Sequence, residues 1–390
     1  MGGAQRSRKF TPTSFFLTTL KLVGGTNEQG YLQALTSSWA TSGDMAAAPT
    51  KSSLSEYRDK VSYEFFEDLF KDKIADFKNQ RLTWRGMHVY ACDGDQYEIP
   101  LSDDILEHGF RGYPCKDHTE THFPRMYIVH AYDVLSRVTK DFRHSHQNKE
   151  VRLAFDMAAN FEENSVTLYD RLFFSKEMIS THSAGGHFFV AKCKEGGTFK
   201  EVIEFWESAK RNDSFYFDGQ KIHLVKVVNP RTHEASVYAT NLERSCFRNV
   251  ELDELYALRW QAETAFRDLS CTMKIEQWHS KKLNGVLQEL YASLWLYNHV
   301  RILMALHNPK KRHKEVPMKY CLANFKLIFH YFIDEIRQFV CKKWRKIKKC
   351  LLELVRRGAE KREHRKRTNP RCLRKSPKNY PRESIVERRG

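Results

Sequence analysis

The chain has 390 residues, 65 Lys and Arg against 48 Asp and Glu, and a formal net charge of +17 at pH 7. The excess is uneven: residues 342–390 hold 20 basic and 5 acidic side chains, which leaves 45 against 43 for residues 1–341. With 41% hydrophobic and 13% aromatic residues, the near-neutral part can bury a sizeable core; wholesale disorder is excluded, and the length predicts about two or three domains.

Nine cysteines form no CxxC pair, so neither a disulfide framework nor a cysteine zinc site is indicated, and a reducing cytosol fits. The apolar runs near Phe15–Leu22, Leu283–Leu306 and Phe325–Val340 are too short or too interrupted by polar residues to cross a bilayer. The first ten residues, MGGAQRSRKF, show no apolar segment leading to a cleavage site. The expectation is a cytoplasmic protein without membrane contact, whose polycationic end takes an anionic polymer as its default partner.

In chain order, residues 1–80 read as helical, with a Gly/Ala/Ser/Thr-rich loop from Gly24 to Thr50. From Trp84 the pattern changes to strands: Met87–Asp93, Tyr97–Pro100, Met126–Val134 and Val138–Phe142. A helix over Lys149–Phe161, a strand Ser165–Asp170, a helix from about Ser175 and a strand His187–Cys193 follow. Strands first, then helix alternating with strand, predict a mixed α/β sheet covered by helices. Residues 194–249 read mostly as strand, at Ser214–Phe217, Lys221–Val228 and Ala235–Asn241, and predict a β-rich insertion. Helices are predicted over Glu251–Ser270, Leu283–His307 and Asn324–Arg357, and beyond Arg357 a basic tail without order when free.

Three acidic residues fall at positions that matter. Asp93 follows the apolar run Met87–Cys92, Asp170 ends the strand after Ser165, and Glu263 lies on a helix after the insertion. If the strands of Asp93 and Asp170 are neighbours and the helix crosses their ends, the carboxylates converge. Their mutual repulsion would be relieved by two divalent cations about 3.5–4 Å apart, a pair suited to phosphodiester displacement. Tyr256, Arg259, Glu263 and Arg267 are spaced to share one helical face, and arginines beside a carboxylate suit a phosphate backbone. The same spacing also describes ordinary i,i+4 ion pairs, each worth about 0.2–0.5 kcal/mol. Asp93-Gly94-Asp95 alone also describes a turn, and Asp170 a helix N-cap paired with Arg171.

In order, the segments YACDGDQYEIP, SVTLYDRLFF, VYATNLE and LYALRWQAETAFRDL resemble the successive motifs of DDE transposases of the IS-four group of bacterial insertion sequences. The resemblance runs from about Arg81 to Asn298, and its most specific element is the Tyr-x2-Arg-x3-Glu-x6-Lys signature, met by Tyr256, Arg259 and Glu263. It implies an RNase H-like fold with a β insertion between the second Asp and the Glu. It implies a metal-binding triad of Asp93, Asp170 and Glu263 holding two magnesium ions, with manganese able to substitute. Contacts to DNA phosphate fall on Tyr256 and Arg259, and further DNA contacts are expected at Arg171, Arg267 and Lys274. The implied reaction is metal-dependent 3′-end hydrolysis at terminal inverted repeats, hairpin formation and opening, and strand transfer into target DNA. A homodimer on paired ends and a nucleoid-associated location in a bacterial cell go with it. The implied division is a helical DNA-binding domain over 1–80, a catalytic core over 81–193 completed by 250–308, the insertion over 194–249, a helical region over 309–357 and a basic tail over 358–390. The alternatives left open are a non-catalytic DNA-binding derivative, and a nuclease that cuts without joining.

The sequence departs from the pattern at three places. Ser270 stands at the signature Lys, with Lys274 the next cation; Asp170-Arg171-Leu172-Phe173 requires Leu172 to make a turn usually made by glycine; Asp95 adds a charge beside Asp93. Among other candidates, His118-Thr-Glu-Thr-His122 lacks the order of a zinc helix and reads as loop. His144 and His146 read as exposed turn residues. Trp260 and Trp278 are near enough to stack a base, although burial in a core is the simpler expectation for each.

Overall fold

The computed structural model describes residues 10–24, 30–40, 48–112, 122–197, 199–230, 232–306, 321–340 and 359–361. Four helices open the chain: α1 (Pro12–Gly24), α2 (Tyr31–Ala40), α3 (Lys51–Lys60) and α4 (Glu64–Phe77). Helix α2 lies inside the stretch expected to be loop. Its small residues hide an inward face, on which Ala34 and Leu35 are buried and Tyr31 and Trp39 pack against the core. Phe15, Leu54, Phe66 and Phe70 from these helices belong to the same hydrophobic cluster as the sheet residues Val89, Ala91 and Ile128.

The sheet begins with β1 (His88–Glu98), one continuous strand where two were expected. Gly94 does not break it, because Gly94 and Asp95 pair in register with Val129 and Ile128. The short α5 (Asp103–Glu107) leads to β2 (Arg125–Asp133) and β3 (Val138–Ser145), followed by α6 (Glu150–Ala158), β4 (Ser165–Tyr169), α7 (Lys176–Gly185) and β5 (Phe188–Lys192). Strand β4 is buried along its whole length, as a parallel strand with both faces covered must be. The Ser175 hydroxyl caps α7 by accepting the Met178 N–H at 3.2 Å, and Gly186, at φ 66°, ends it in the left-handed conformation.

Next come α8 (Lys200–Glu207), β6 (Asn212–Phe217), β7 (Gln220–Val228) and β8 (Ala235–Thr240). Helix α8 interrupts a stretch read as mostly strand; Val202 and Phe205 are its buried anchors, and the Lys226 ammonium donates to the carbonyls of Phe205, Trp206 and Ser208 at its end. These three strands extend the main sheet, whose order is β3-β2-β1-β4-β5-β8-β7-β6. Strand β1 is antiparallel to β2 and parallel to β4, β4 is parallel to β5, and β8 returns antiparallel to β5. The first five strands make an RNase H-like mixed sheet. Helices α6 and α7 cover one face, around Phe155, Met178 and Ile179.

The other face is covered by α9 (Asn249–Ala257), α10 (Trp260–Arg267) and α11 (Leu283–Leu306). The helix expected over Glu251–Ser270 is thus divided. At Leu258 and Arg259 the backbone tightens to i→i+3 hydrogen bonds, and Asp268–Thr272 forms a single π turn. Helix α11 is buried through most of its length, and the Asn298 side-chain amide on it exchanges two hydrogen bonds, at 2.8 and 2.9 Å, with the Thr139 backbone of β3. Among the described residues no helix is long and apolar enough to cross a membrane. Beyond α11 lie β9 (Cys321–Ala323), α12 (Phe325–Val340) and β10 (Ala359–Lys361), which pairs antiparallel with β9. Three residues of the segment expected to lack order are therefore paired; the rest of the tail, and residues 341–357 of the expected last helix, lie outside the described residues.

Candidate active site

The parallel pairing of β1 with β4 sets Ala91 beside Leu168. Asp93 and Asp170 each lie two residues further on, just past the stretch over which β1 and β4 pair: Asp93 is in the middle of β1, which continues beside β2 to Glu98, and Asp170 directly follows β4. The four residues before Asp93 are buried, and the carboxylate emerges from the core on the face covered by α10. Opposite it on β2 is His130, buried with its ring stacked 4.0 Å from that of Phe266. Burial pushes His130 down to about 3, so the imidazole is a neutral spacer beneath α10.

Helix α10 brings Glu263 to the same place, and Arg259 joins them. The Arg259 guanidinium donates from Nη1 to Asp93 Oδ2 at 3.2 Å and from Nη2 to Glu263 Oε1 at 2.7 Å. Arg259 is only 6% exposed. Burial works against its charge, but Asp93, Tyr256, Glu263 and Asp170 outweigh burial and hold the guanidinium above its ordinary range. Asp93 is pushed up to about 6: burial raises it, Arg259 opposes this, and Glu263 and Glu150 raise it further. Tyr256, buried against Tyr238 with ring centroids 4.8 Å apart, has its hydroxyl raised by burial and by Asp170 against the pull of Arg259. Asp93, Asp170, Tyr256, Arg259 and Glu263 therefore form one electrostatic cluster.

Glu150 also belongs here, although nothing in its local sequence marked it. It opens α6 beside Gly94, close enough that a Cβ added to Gly94 would lie 2.5 Å from the Glu150 carboxyl carbon. Gly94 is thus required for close approach. Burial raises the Glu150 carboxyl, the Gly94 N–H opposes this, and Asp170 and Asp95 raise it further. Ser270, in the π turn, lines a cleft of about 530 Å³ together with Gly94, Asp95, Glu150 and Arg125.

The remaining expected contacts lie further out. Arg267 and Arg171 are exposed. Lys274, at φ 53°, lines a separate crevice with Leu22 and Val23 of α1 and Ser293 of α11. The turn after Asp170 needs no left-handed residue at Leu172: the Phe173 N–H closes it on the Asp170 carbonyl at 3.0 Å, and Leu172 is left 53% exposed. Trp260 is 45% exposed, with the Arg259 guanidinium 5.7 Å from its ring, which corrects the expectation of a core tryptophan. Trp278 instead donates its indole N–H to the Glu98 carbonyl at 2.7 Å. His144 is not a turn residue: it lies on β3 between the rings of Tyr63 and Tyr291. His118, Thr119, Glu120 and Thr121 lie outside the described residues.

The donor set fits a hard divalent cation in its chemistry, since the Asp93 and Glu263 carboxylates already share one cation and the Asp170 carboxylate is near enough to act on it. That cation is the guanidinium, which spans Asp93 and Glu263. Among the described residues no three carboxylate, imidazole or thiolate donors are gathered closely enough to share an ion. A metal held by these side chains requires Arg259 to move.

An RNase H-like sheet with an aspartate on or just past each of two neighbouring central strands, and a covering helix that brings a glutamate beside one of them, sets the fold class of this chain. Within that class, residues 84–299 match the family described as the transposase DDE domain. The match covers more than half of the chain, and the chain belongs to that family. It is similar to transposase InsG of insertion sequence element IS4 from Escherichia coli strain K12, 23% identical over 238 residues, covering 57% of this chain and 53% of InsG. It is also similar to InsZ of the same strain, a transposase by name, 27% identical over 144 residues, covering 35% of this chain and 46% of InsZ. The chain spans about half the length of these curated relatives. A solved piggyBac transposase synaptic complex with hairpin DNA aligns at a TM-score of 0.44 with 13% identity, over 91% of this chain and 78% of that one.

Proposed function

We propose that this protein is a transposase that excises an insertion sequence at its terminal inverted repeats and joins it to target DNA, through 3′-end hydrolysis, hairpin formation and opening, and strand transfer. The observation that carries this reading is the register that sets Asp93 and Asp170 equally far beyond the paired stretch of β1 and β4, with Glu263 tied to Asp93 through Arg259. Asp93, Asp170 and Glu263 are the residues that would hold two magnesium ions, with manganese able to substitute. When bound, such ions stabilise the attacking and leaving oxygens of a phosphoryl displacement.

The protein's own residues bind and orient the DNA. Arg259 and Tyr256 take phosphate oxygens beside the cleaved bond, and Arg171, Arg267 and Lys274 hold backbone further along, where such contacts position the duplex without reading its sequence. No side chain acts as a nucleophile: water, then the freed 3′-hydroxyl, attacks phosphorus at one site. Cutting two ends and joining them to one target calls for two such sites, and a homodimer on paired ends supplies them. In this reading residues 1–80 help to bind DNA, 194–249 are an insertion that extends the catalytic sheet, and the basic tail adds non-specific affinity.

The test is incubation of the purified protein and magnesium with DNA carrying the element's terminal repeats and a target plasmid. Hairpinned ends and joined products are expected from the wild type and not from Asp93→Ala. Cleavage without joining would reduce the reading to a nuclease, and metal-independent binding without cleavage would reduce it to a DNA-binding protein.

A further inference from the structure

Arg259 occupies an unusual position for a side chain expected to contact DNA. It is buried, and it reaches away from solvent to bridge one carboxylate on β1 and another on α10 at 3.2 and 2.7 Å. Its side chain is 8% exposed, against 19% for Asp93 and 37% for Glu263. A guanidinium withdrawn this far from water is retained only by charge partners, and here those partners are two of the three carboxylates expected to hold metal. Arg259 lies in the tight i→i+3 turn between α9 and α10. Trp260 beside it is exposed, and Glu263 is the most exposed member of the bridge, so the solvent side of the cluster is the side on which Glu263 lies.

Charge counting shows what displacement requires. Asp93, Asp170 and Glu263 bring three negative charges to Arg259's one. A divalent cation entering between Asp93 and Glu263 removes the guanidinium's partners and leaves a buried arginine beside a metal, which like-charge repulsion and desolvation both oppose. A phosphate at the mouth of the site removes that obstacle, because guanidinium and phosphate form a charge-assisted, commonly bidentate pair.

We propose that Arg259 is an exchangeable counter-ion of the carboxylate centre: without DNA its guanidinium bridges Asp93 and Glu263, and a DNA phosphate draws it away so that a divalent metal takes the vacated carboxylates. This rests on the metal-centre reading above. Arg259 is a positioning residue in the free protein and a phosphate ligand in the complex, and metal and DNA must then tighten each other's binding reciprocally. The arrangement withholds metal-activated chemistry from the free protein.

The experiment measures binding of Mn2+ to the full chain by the electron paramagnetic resonance signal of the free ion, with and without a short DNA duplex, after subtraction of Mn2+ held by the duplex alone. Wild type is expected to bind Mn2+ more tightly with DNA, by about tenfold. Arg259→Gln is expected to bind Mn2+ more tightly than wild type without DNA and to gain little on its addition. Mn2+ should also raise the melting temperature of Arg259→Gln more than that of wild type, a readout that survives a loss of stability in the variant. Equal or weaker Mn2+ binding by Arg259→Gln, or the same DNA enhancement in both proteins, overturns the exchange. Asp93→Asn separates the two levels. If, with DNA present, it binds Mn2+ like wild type, the metal-centre reading fails; if it loses Mn2+ there while Arg259→Gln shows no gain without DNA, only the exchange fails.

Discussion

Replacing Arg58 with alanine is expected to cost about 3–5 kcal/mol of folding free energy, because it leaves a buried glutamate without its main counter-charge. Arg58, on α3, enters the groove beside α11, where its Nη2 lies 2.8 Å from Glu289 Oε1 and the two side chains are 4% and 3% exposed. The guanidinium also donates to Gln288 Oε1 at 3.1 Å, the Tyr31 hydroxyl at 2.7 Å and the Gly285 carbonyl at 2.7 Å. After truncation Glu289 keeps the His279 N–H at 2.9 Å and the His279 ring at 3.1 Å, which places the expected loss toward the lower end of that range. Urea unfolding of the full chain measures it, and limited proteolysis should show α1–α4 released first, because Arg58 ties them to α11. A double variant, Arg58→Met with Glu289→Leu, removes both charges at similar volume and is expected to recover most of the loss. A loss under about 1 kcal/mol for Arg58→Ala, or a double variant as unstable as the single, would refute this view of the pair.

Glu162 supplies a pH-dependent term: burial raises its carboxyl, but hydrogen bonds from Tyr90 and Lys140 more than reverse this and hold it at about 2. A depressed carboxyl stabilises the fold above its unfolded value near 4.5 and loses that contribution as pH falls toward 2. With partial solvation this is worth about 1–2 kcal/mol at neutral pH; Glu162→Gln should flatten the acid-unfolding curve there, and an unchanged curve would count against it. Gly94→Ala should cost under about 1 kcal/mol of stability, since the clash is with the flexible end of Glu150, yet it should slow DNA cleavage by displacing that carboxylate; undiminished cleavage would contradict a role for the contact. Deleting residues 358–390 should weaken DNA binding and flatten its salt dependence, each lost phosphate contact reducing the log–log slope by about 0.9; an unchanged slope would show that the tail is not the electrostatic handle.

The parts of the site legible in the sequence were those written in local pattern. The apolar run Met87–Cys92 announces the buried half of the strand that bears Asp93, although the strand runs on to Glu98, and the spacing of Arg259 and Glu263 anticipates their ion pair. The second half of that bridge was not legible, because Asp93 and Arg259 are 166 positions apart and only the crossing of α10 over β1 joins them. Glu150 was missed for the same reason: a first-turn acid is commonplace, and its importance comes from a glycine on a neighbouring strand. Gly94 misled the reading of β1, since a strand glycine signals a break as readily as a close approach. Helix α2 was obscured by small residues, and α8 by its brevity between strands. His144 was taken for a turn residue because the aromatic partners that enclose it come from the residue that precedes α4 and from α11.

The central claim is that Asp93, Asp170 and Glu263 act as one centre, and its most direct measurement is single-turnover cleavage of terminal-repeat DNA in magnesium by Asp93→Asn, Asp170→Asn, Glu263→Gln and the triple variant. Residues that act as a unit are non-additive. The account predicts that each single variant loses nearly as much rate as the triple while still binding DNA. A single variant that cleaves at close to the wild-type rate, or losses that multiply from single to triple, would contradict it.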